Sequence, residues 1–270
     1  MATKISVIIP TYAPKDYLWE CLGSLDNQTL SKDEFEVILV LNGEREPYES
    51  LIQKKLPEYS FNSTLLYSTP NGVSRARNLG MEKAQGCHIC FIDDDDWVSD
   101  NYLEDLLSKA CDNGIVAANV KDVDEVTREE SEQHFLSRAY KNYQPEKESS
   151  LFVNRSFFSS ACCKLLPKNC INGQRFDTNI KRGEESIFMY GISWKVKHVK
   201  VATPNCIYYV RKRHNSAGRR NISIVTRLYE FLSQSSKYTN MYFRHLTHND
   251  PLFYISRIAG TFYNKLIQQH

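Results

Sequence analysis

The residues with most chemical potential stand in one run, Asp93-Asp94-Asp95-Asp96, directly after the apolar stretch His88–Ile92. Four adjacent carboxylates repel one another and are costly at a sheet edge without a compensating cation. Oxygen ligands of this kind favour Mg2+ or Mn2+, which bind one or two carboxylates together with substrate phosphates. Taken alone, the run is also an acidic loop ahead of a helix, with Ser99 and Asp100 as good N-cap residues. Its place after a buried strand favours a metal-diphosphate site, because open parallel sheets bind ligands at the carboxyl ends of their strands. A second acidic pair, Glu184-Glu185, opens a helical pattern after Arg182-Gly183, where the helix macrodipole favours negative charge. A basic segment, Arg211-Lys212-Arg213-His214, follows the last apolar run, and Asn42-Gly43 is a turn pair after an earlier one.

A frame that brings these residues together is legible in the periodicity. Ile5–Ile9 is nearly continuous and β-branched, as a strand buried on both faces is. Tyr17–Leu25 follows with Leu18, Cys21, Leu22 and Leu25 at helical spacing. Phe35–Leu41, Thr64–Tyr67, His88–Ile92 and Ile115–Val120 are predicted strands; Tyr48–Leu56, Val73–Ala84 and Tyr102–Ala110 are predicted helices. Such alternation predicts an α/β fold with a doubly wound, mainly parallel sheet and helices on both faces. Val123–Ser150 is polar, with no strong β pattern and a surface helix expected over Arg128–Tyr140. Ser159–Leu166 is apolar, Glu184–Trp194 helical, and His198–Ala202 and Cys206–Val210 are predicted strands. The organisation expected is a nucleotide-type α/β half over 1–120, an appended second half over 121–220 and a helical tail over 221–270.

Taken in order, Ile8-Ile9-Pro10-Thr11-Tyr12, Gly72-Val73-Ser74-x-Ala76-Arg77-Asn78-x-Gly80, Phe91-Ile92-Asp93-Asp94-Asp95-Asp96-Trp97 and Gly183-Glu184-Glu185-x-x-Phe188 resemble the family 2 glycosyltransferases of GT-A fold. Lys164-Leu165 and Tyr208-Tyr209-x-Arg211 extend the resemblance, which covers roughly residues 4–220. It implies inverting transfer of a sugar from a nucleoside diphosphate, usually UDP, to a saccharide or lipid-linked acceptor. Pro10, Thr11 and Tyr12 would then line the base and ribose, and Arg77 would sit by the base or diphosphate. Asp95 would hold the metal, with Asp93 or Asp94 near ribose or metal. Asn42 stands where the family usually carries an acid against the base; an amide can still accept from uracil N3–H and donate to O4. Glu185, with Glu184 as its rival, would be the base that deprotonates the acceptor hydroxyl, which makes 121–220 the acceptor-binding and catalytic-base half. Arg211 or Arg213 would lie near phosphate, and His214 would complete the metal shell.

Composition excludes other classes. The chain is 41% hydrophobic and 24% charged, which fits neither a disordered tail nor a coiled coil. A nucleotidyltransferase wants a Gly-rich, basic loop after the first strand, and Pro10-Thr11-Tyr12-Ala13-Pro14 is not one. A binding module with a decayed site would not need the acids at 93–96 and 184–185. Cys87-His88-Ile89-Cys90 is formally CxxC, but lies on one strand where positions three apart face opposite sides. Buried reduced thiols, no apolar run long enough to span a bilayer and no signal-peptide pattern predict a cytoplasmic setting. From Arg211 onward ten Lys/Arg stand against two acids, leaving 24 basic and 30 acidic residues in the rest. No nucleic-acid module accompanies that basic tail. Its stripes Leu228-Phe231-Leu232 and Ile255-Ile258-Phe262, with Arg227, Lys237, Arg244, Arg257 and Lys265, predict packing on the catalytic domain or a twin subunit, or docking on an anionic membrane surface.

Overall fold

A computed structural model describes residues 3–213 and 223–267. The chain opens β1 (Ile5–Thr11), α1 (Asp16–Asp26), β2 (Phe35–Leu41), α2 (Tyr48–Lys55), β3 (Asn62–Tyr67), α3 (Val73–Lys83) and β4 (His88–Phe91). It continues with β5 (Trp97–Val98), α4 (Tyr102–Ser108), β6 (Gly114–Ala117), β7 (Asn119–Asp124), β8 (Glu130–Ser131) and α5 (Phe135–Lys141). Then come β9 (Lys164–Pro167), α6 (Lys168–Ile171), α7 (Glu184–Ser193), β10 (His198–Val201), β11 (Ile207–Lys212), α8 (Ile224–Arg244) and α9 (Pro251–Phe262).

The main sheet runs β10-β6-β9-β4-β1-β2-β3, parallel except for β9, which pairs antiparallel with β4 and β6. Every residue of β1 and β2 is buried. Successive side chains of a strand point to opposite faces, so both faces of the sheet are covered. This is the doubly wound arrangement expected. A second sheet runs β5-β11-β7-β8, with β11 antiparallel to β5 and parallel to β7. The two expected halves share both sheets, since β9 sits between β4 and β6 and β11 pairs with β5.

Two expectations are corrected. The run Ile115–Val120 is not one strand: the chain passes from β6 to β7, in different sheets, through Ala118. Ala118 N–H donates to Cys163 and Asn119 N–H to Cys206, so the break is made by partners distant in sequence. The expected helix from Arg128 starts only at Phe135. The Asp124 carboxylate accepts from Val126 and Thr127 N–H, turning the chain, and Glu130–Ser131 pairs with β7 as a strand. Residues 128–133 offer no apolar side chain for a helical face to bury, whereas Leu136 is buried. All eight cysteines are free; Cys87 falls just before β4 rather than on it and is exposed, while Cys90 is buried within the strand.

The tail forms α8 and α9, broken at Asn249-Asp250-Pro251, where the Asp250 side chain caps α9 by accepting from Leu252 and Phe253 N–H. The two helices join through the ring pairs Phe231–Phe262 and Tyr242–Tyr254. Tyr238 and Phe253 are fully buried against Tyr190 of α7 and Phe158. The expected stripes split: Phe231 turns to α9, while Leu228, Leu232 and Ile255 remain exposed. The basic side chains largely turn inward, Lys237 to Asp177, Lys265 to Glu230 and Arg257 to Ser159 and Ser186. No described helix is long and apolar enough to cross a membrane.

The loop entering β4 packs so closely on β1 that a Cβ at Gly86 would lie 2.6 Å from the Ser6 nitrogen and 2.7 Å from the Ile5 carbonyl carbon. Backbone does not yield as a side-chain tip does, so Gly86→Ala should cost about 1–3 kcal/mol by overpacking. Gly23 sits inside α1 with nothing within 4 Å of an added Cβ. Gly23→Ala should therefore stabilise by about 0.5–1 kcal/mol through helix propensity. Urea unfolding of the two variants checks both signs; equal effects would refute the close approach.

Candidate active site

Parallel pairing of β1 with β2 and β4 places their carboxyl ends side by side, and the acidic run leaves β4 at that edge. Pro10 and Thr11 close β1, both buried. Thr11 Oγ1 donates to Asp94 Oδ2 at 2.5 Å and Tyr12 N–H approaches the same oxygen at 3.4 Å. The Tyr12 ring is exposed and lies against Gly43, where a Cβ would come within 2.8 Å of it. Asn42, 5% exposed, donates its amide to Thr11 O at 2.9 Å and accepts from Gly72 N–H at 3.3 Å. Its carboxamide thus ties the end of β1 to the turn that opens α3.

The four aspartates have four environments. Asp96 is buried, accepts from Arg211 N–H at 2.9 Å, and is driven well above the carboxylate range by burial and by Asp93 and Asp95. Burial likewise pushes Asp94 up to about 7, against the pull of the Thr11 hydroxyl. Asp95 pairs with Arg213 at 2.8 Å. Arg211 is spent internally: its Nε donates to Asp95 O, its Nη2 pairs with Glu20, and its guanidinium lies 4.8 Å over Trp97. His214 lies outside the described residues.

Asp93 meets the second acidic pair through Arg77. This guanidinium, 2% exposed, lies 2.9 Å from Asp93 Oδ1, 2.9 Å from Glu185 Oε1 and 3.6 Å from Glu184 Oε1. The ring of Phe176 lies 5.3 Å beneath it. Asp93, Cys162 and Glu185 have ligand atoms within 4.8 Å of one another, a grouping open to a metal, but Arg77 already supplies its positive charge. Arg77 Nε and Nη1 are buried with no hydrogen-bond partner among the described residues.

Glu185 is held from its other side by Ser160 Oγ at 2.7 Å and Ala161 N–H at 2.8 Å. Burial would raise its carboxyl, yet Arg77, these two donors and Lys164 hold it below the usual range. Glu184 goes the other way, raised by burial and by the neighbouring Glu185 against the pull of Arg77. Two adjacent glutamates are thereby driven apart, Glu185 ionised and Glu184 retaining its proton to higher pH.

Several contributors had no role assigned from the sequence, although Lys164 and Gly183 stand in the motifs. Lys164, fully buried, donates to Ser160 O at 2.6 Å and Cys162 O at 2.5 Å, collecting the loop that holds Glu185. The turn before α7 is gripped by the tail: Gly183 has φ +84° and would place a Cβ 2.9 Å from Gln234, whose amide donates to Arg182 O at 2.6 Å. Tyr238 and Ser186 hydroxyls meet at 2.6 Å. Polar residues inside α8 are the only signal that its inner face serves a site.

A family model described as Glycosyl transferase family 2 matches residues 6–168, well over half of the chain. The chain is 30% identical over 220 residues to the minor teichoic acid biosynthesis protein GgaB of Bacillus subtilis, covering 78% of this chain and 23% of that one. It is 24% identical over 214 residues to poly(ribitol-phosphate) beta-N-acetylglucosaminyltransferase TarS of Staphylococcus aureus, covering 78% and 36%. The chain thus spans only about a quarter to a third of these curated relatives. A crystal structure of S. aureus TarS 1–349 in complex with UDP-GlcNAc superposes with a TM-score of 0.74 at 20% identity, covering 97% of this chain and 73% of that one. At that identity the likeness is one of fold.

Replacing the buried Arg77 by Met would strand three half-buried carboxylates. Breaking a buried ion pair from one side typically costs about 3–5 kcal/mol, and that loss is expected at pH 7. The pH dependence should also steepen. In the parent the raised Asp94, Asp96 and Glu184 already bind protons more readily folded than unfolded, so stability rises as pH falls from 7 towards 5, while the lowered Glu185 adds nothing to the slope there. In Arg77→Met, Asp93 and Glu185 lose the cation that lowers them and add to that rise. Thermal melts across that window check the slope; parallel curves would refute the hub.

Proposed function

The chain belongs to glycosyl transferase family 2, and on that premise we propose that it transfers a sugar from a UDP-sugar, with inversion, to a hydroxyl of a polyol-phosphate or related glycan chain. The observation that carries this reading is the meeting of Asp93 and Glu185 on one guanidinium, each 2.9 Å from Arg77. An acid at the end of a parallel strand, where a diphosphate would sit, stands beside an ionised acid at the start of α7. An inverting transfer needs that pairing, with the base on one side of the sugar and the leaving group on the other.

In the proposed reaction Glu185 takes the proton of the acceptor hydroxyl. The acceptor oxygen bonds to the anomeric carbon as the carbon–oxygen bond to the diphosphate breaks, and UDP leaves with the electron pair. Ser160 and Ala161 keep the Glu185 carboxylate oriented, and Arg77 keeps it ionised. On the donor side, the exposed Tyr12 ring offers a face for the base. Asp95, with Asp93 beside it, is the hard-oxygen set that fits Mg2+ or Mn2+, and Arg213 now supplies the opposite charge there. A bound divalent ion would stabilise the charge developing on the leaving diphosphate. The acceptor class comes from the names of relatives, which include a poly(ribitol-phosphate) beta-glucosyltransferase of Bacillus spizizenii.

Glu185→Gln should lower transfer at least 100-fold while UDP affinity stays within a few-fold of the parent, because the amide keeps the shape but takes no proton. Asp95→Asn should cost on the order of 100-fold, as should chelation of divalent ions. Release of UDP from UDP-GlcNAc or UDP-glucose with Mn2+ and poly(ribitol phosphate) is the measurement. Full activity in Glu185→Gln, with loss in Glu184→Gln, moves the base to the neighbour. Activity unchanged by both EDTA and Asp95→Asn overturns the donor site.

A further inference from the structure

A cavity of about 530 Å³ opens between the loop 174–178 and α8. Its charged lining is Arg175, Lys237 and Arg244 against the single carboxylate of Asp177. Lys237 is spent on Asp177. The Arg244 side chain makes no hydrogen bond or ion pair among the described residues. Arg175 reaches only its neighbour's carbonyl, Gln174 O, at 3.1 Å and Glu82 at a loose 3.8 Å. Two guanidinium groups therefore face one cavity without an acid there to balance them, a charge that an anionic ligand relieves. The Asn240 amide is also unspent, while Phe176 and Ile187 give the lining an apolar part. Small-molecule sites run from about 300 to 1,000 Å³, so the space suits a short stretch of a polar chain.

The cavity lies one layer of side chains from the acids. Phe176 lines it and carries Arg77 5.3 Å over its ring, and Asn78, the residue after Arg77 on α3, lines it too, while Ile187, two residues along α7 from Glu185, reaches it from the far side of that helix. We propose that this cavity is an acceptor subsite for a phosphodiester-linked polyol chain, one phosphate bridging Arg175 and Arg244 with polyol hydroxyls on Asn240. Guanidinium forks match phosphate oxygens two at a time, which a lysine ammonium does not. Calling the ligand an acceptor rests on the transfer reading above; the anion site rests on the cavity alone.

The test is calorimetric titration of the full chain with a phosphodiester-linked ribitol tetramer, without nucleotide or metal, at low and high salt. Saturable, salt-weakened binding is expected. Arg244→Ala and Arg175→Ala should each weaken it about tenfold or more, and the double variant should show none. Both positions are on the surface, and unchanged UDP affinity in the variants verifies an intact fold. UDP and Asp95→Asn should leave tetramer binding unaltered. No saturable binding by the parent, parental affinity in the double variant, or equal affinity for an uncharged polyol would overturn the proposal. Tighter binding of an oligouronate would overturn the ligand class. Tetramer binding that persists in a chain without transfer activity would sink the transfer reading and leave the anion site standing.

Discussion

One buried guanidinium organises the candidate site. Arg77 comes from α3, Asp93 from the end of β4, and Glu184 and Glu185 from the first turn of α7, so three elements converge on one positive charge. Remove that charge and the carboxylates repel in a setting where water screens them poorly. Keep it, and Glu185 stays ionised close to the strand-end acid. The Phe176 ring beneath the guanidinium packs on Phe188 of α7 at 4.0 Å, fastening the hub to the core. The loop gathered by Lys164 supplies the other grip on Glu185, so the carboxylate is held from both sides.

The acidic run shows how one composition is divided among tasks. Asp96 belongs to the second sheet, where it receives the backbone of Arg211. Asp94 belongs to β1 through Thr11. Asp93 belongs to Arg77 and Asp95 to Arg213, each an acid matched to a different cation. Trp97 closes the arrangement, stacked on Tyr209 with Arg128 and Arg211 over its ring and Glu20 joining both arginines. These contacts tie the second sheet to the run, which is why Arg213, directly after β11, lies beside Asp95.

The tail has two characters. Its inner face braces α7 through Gln234, Tyr238 and Arg257, so the start of the helix bearing the glutamates depends on residues 52 to 71 positions later. Its outer face keeps Val225, Leu228, Tyr229, Leu232 and Phe243 exposed, at spacings that form one stripe along α8. Periodicity alone could not separate these roles, because a helix with apolar residues on two sides reads as one amphipathic pattern.

Where burial follows from local pattern, the sequence sufficed. The runs of β1 and β2, the spacing of Leu18, Cys21, Leu22 and Leu25 in α1, and the Asn-Asp-Pro break between α8 and α9 all appear where their own residues put them. The acidic run at the end of β4 and the glutamates opening α7 were also legible, because strand ends and helix starts are local features. What the residues could not declare is pairing. Arg77 meets Asp93 across 16 positions and Glu185 across 108, and the break at Ala118 depends on Cys163 and Cys206. Which acid is neutralised, and by which cation, is decided by distances that exist only after the sheets assemble. The chain determined its elements because hydrophobic periodicity is local; tertiary structure alone chose the partners, because electrostatic strength depends on separation and burial in space.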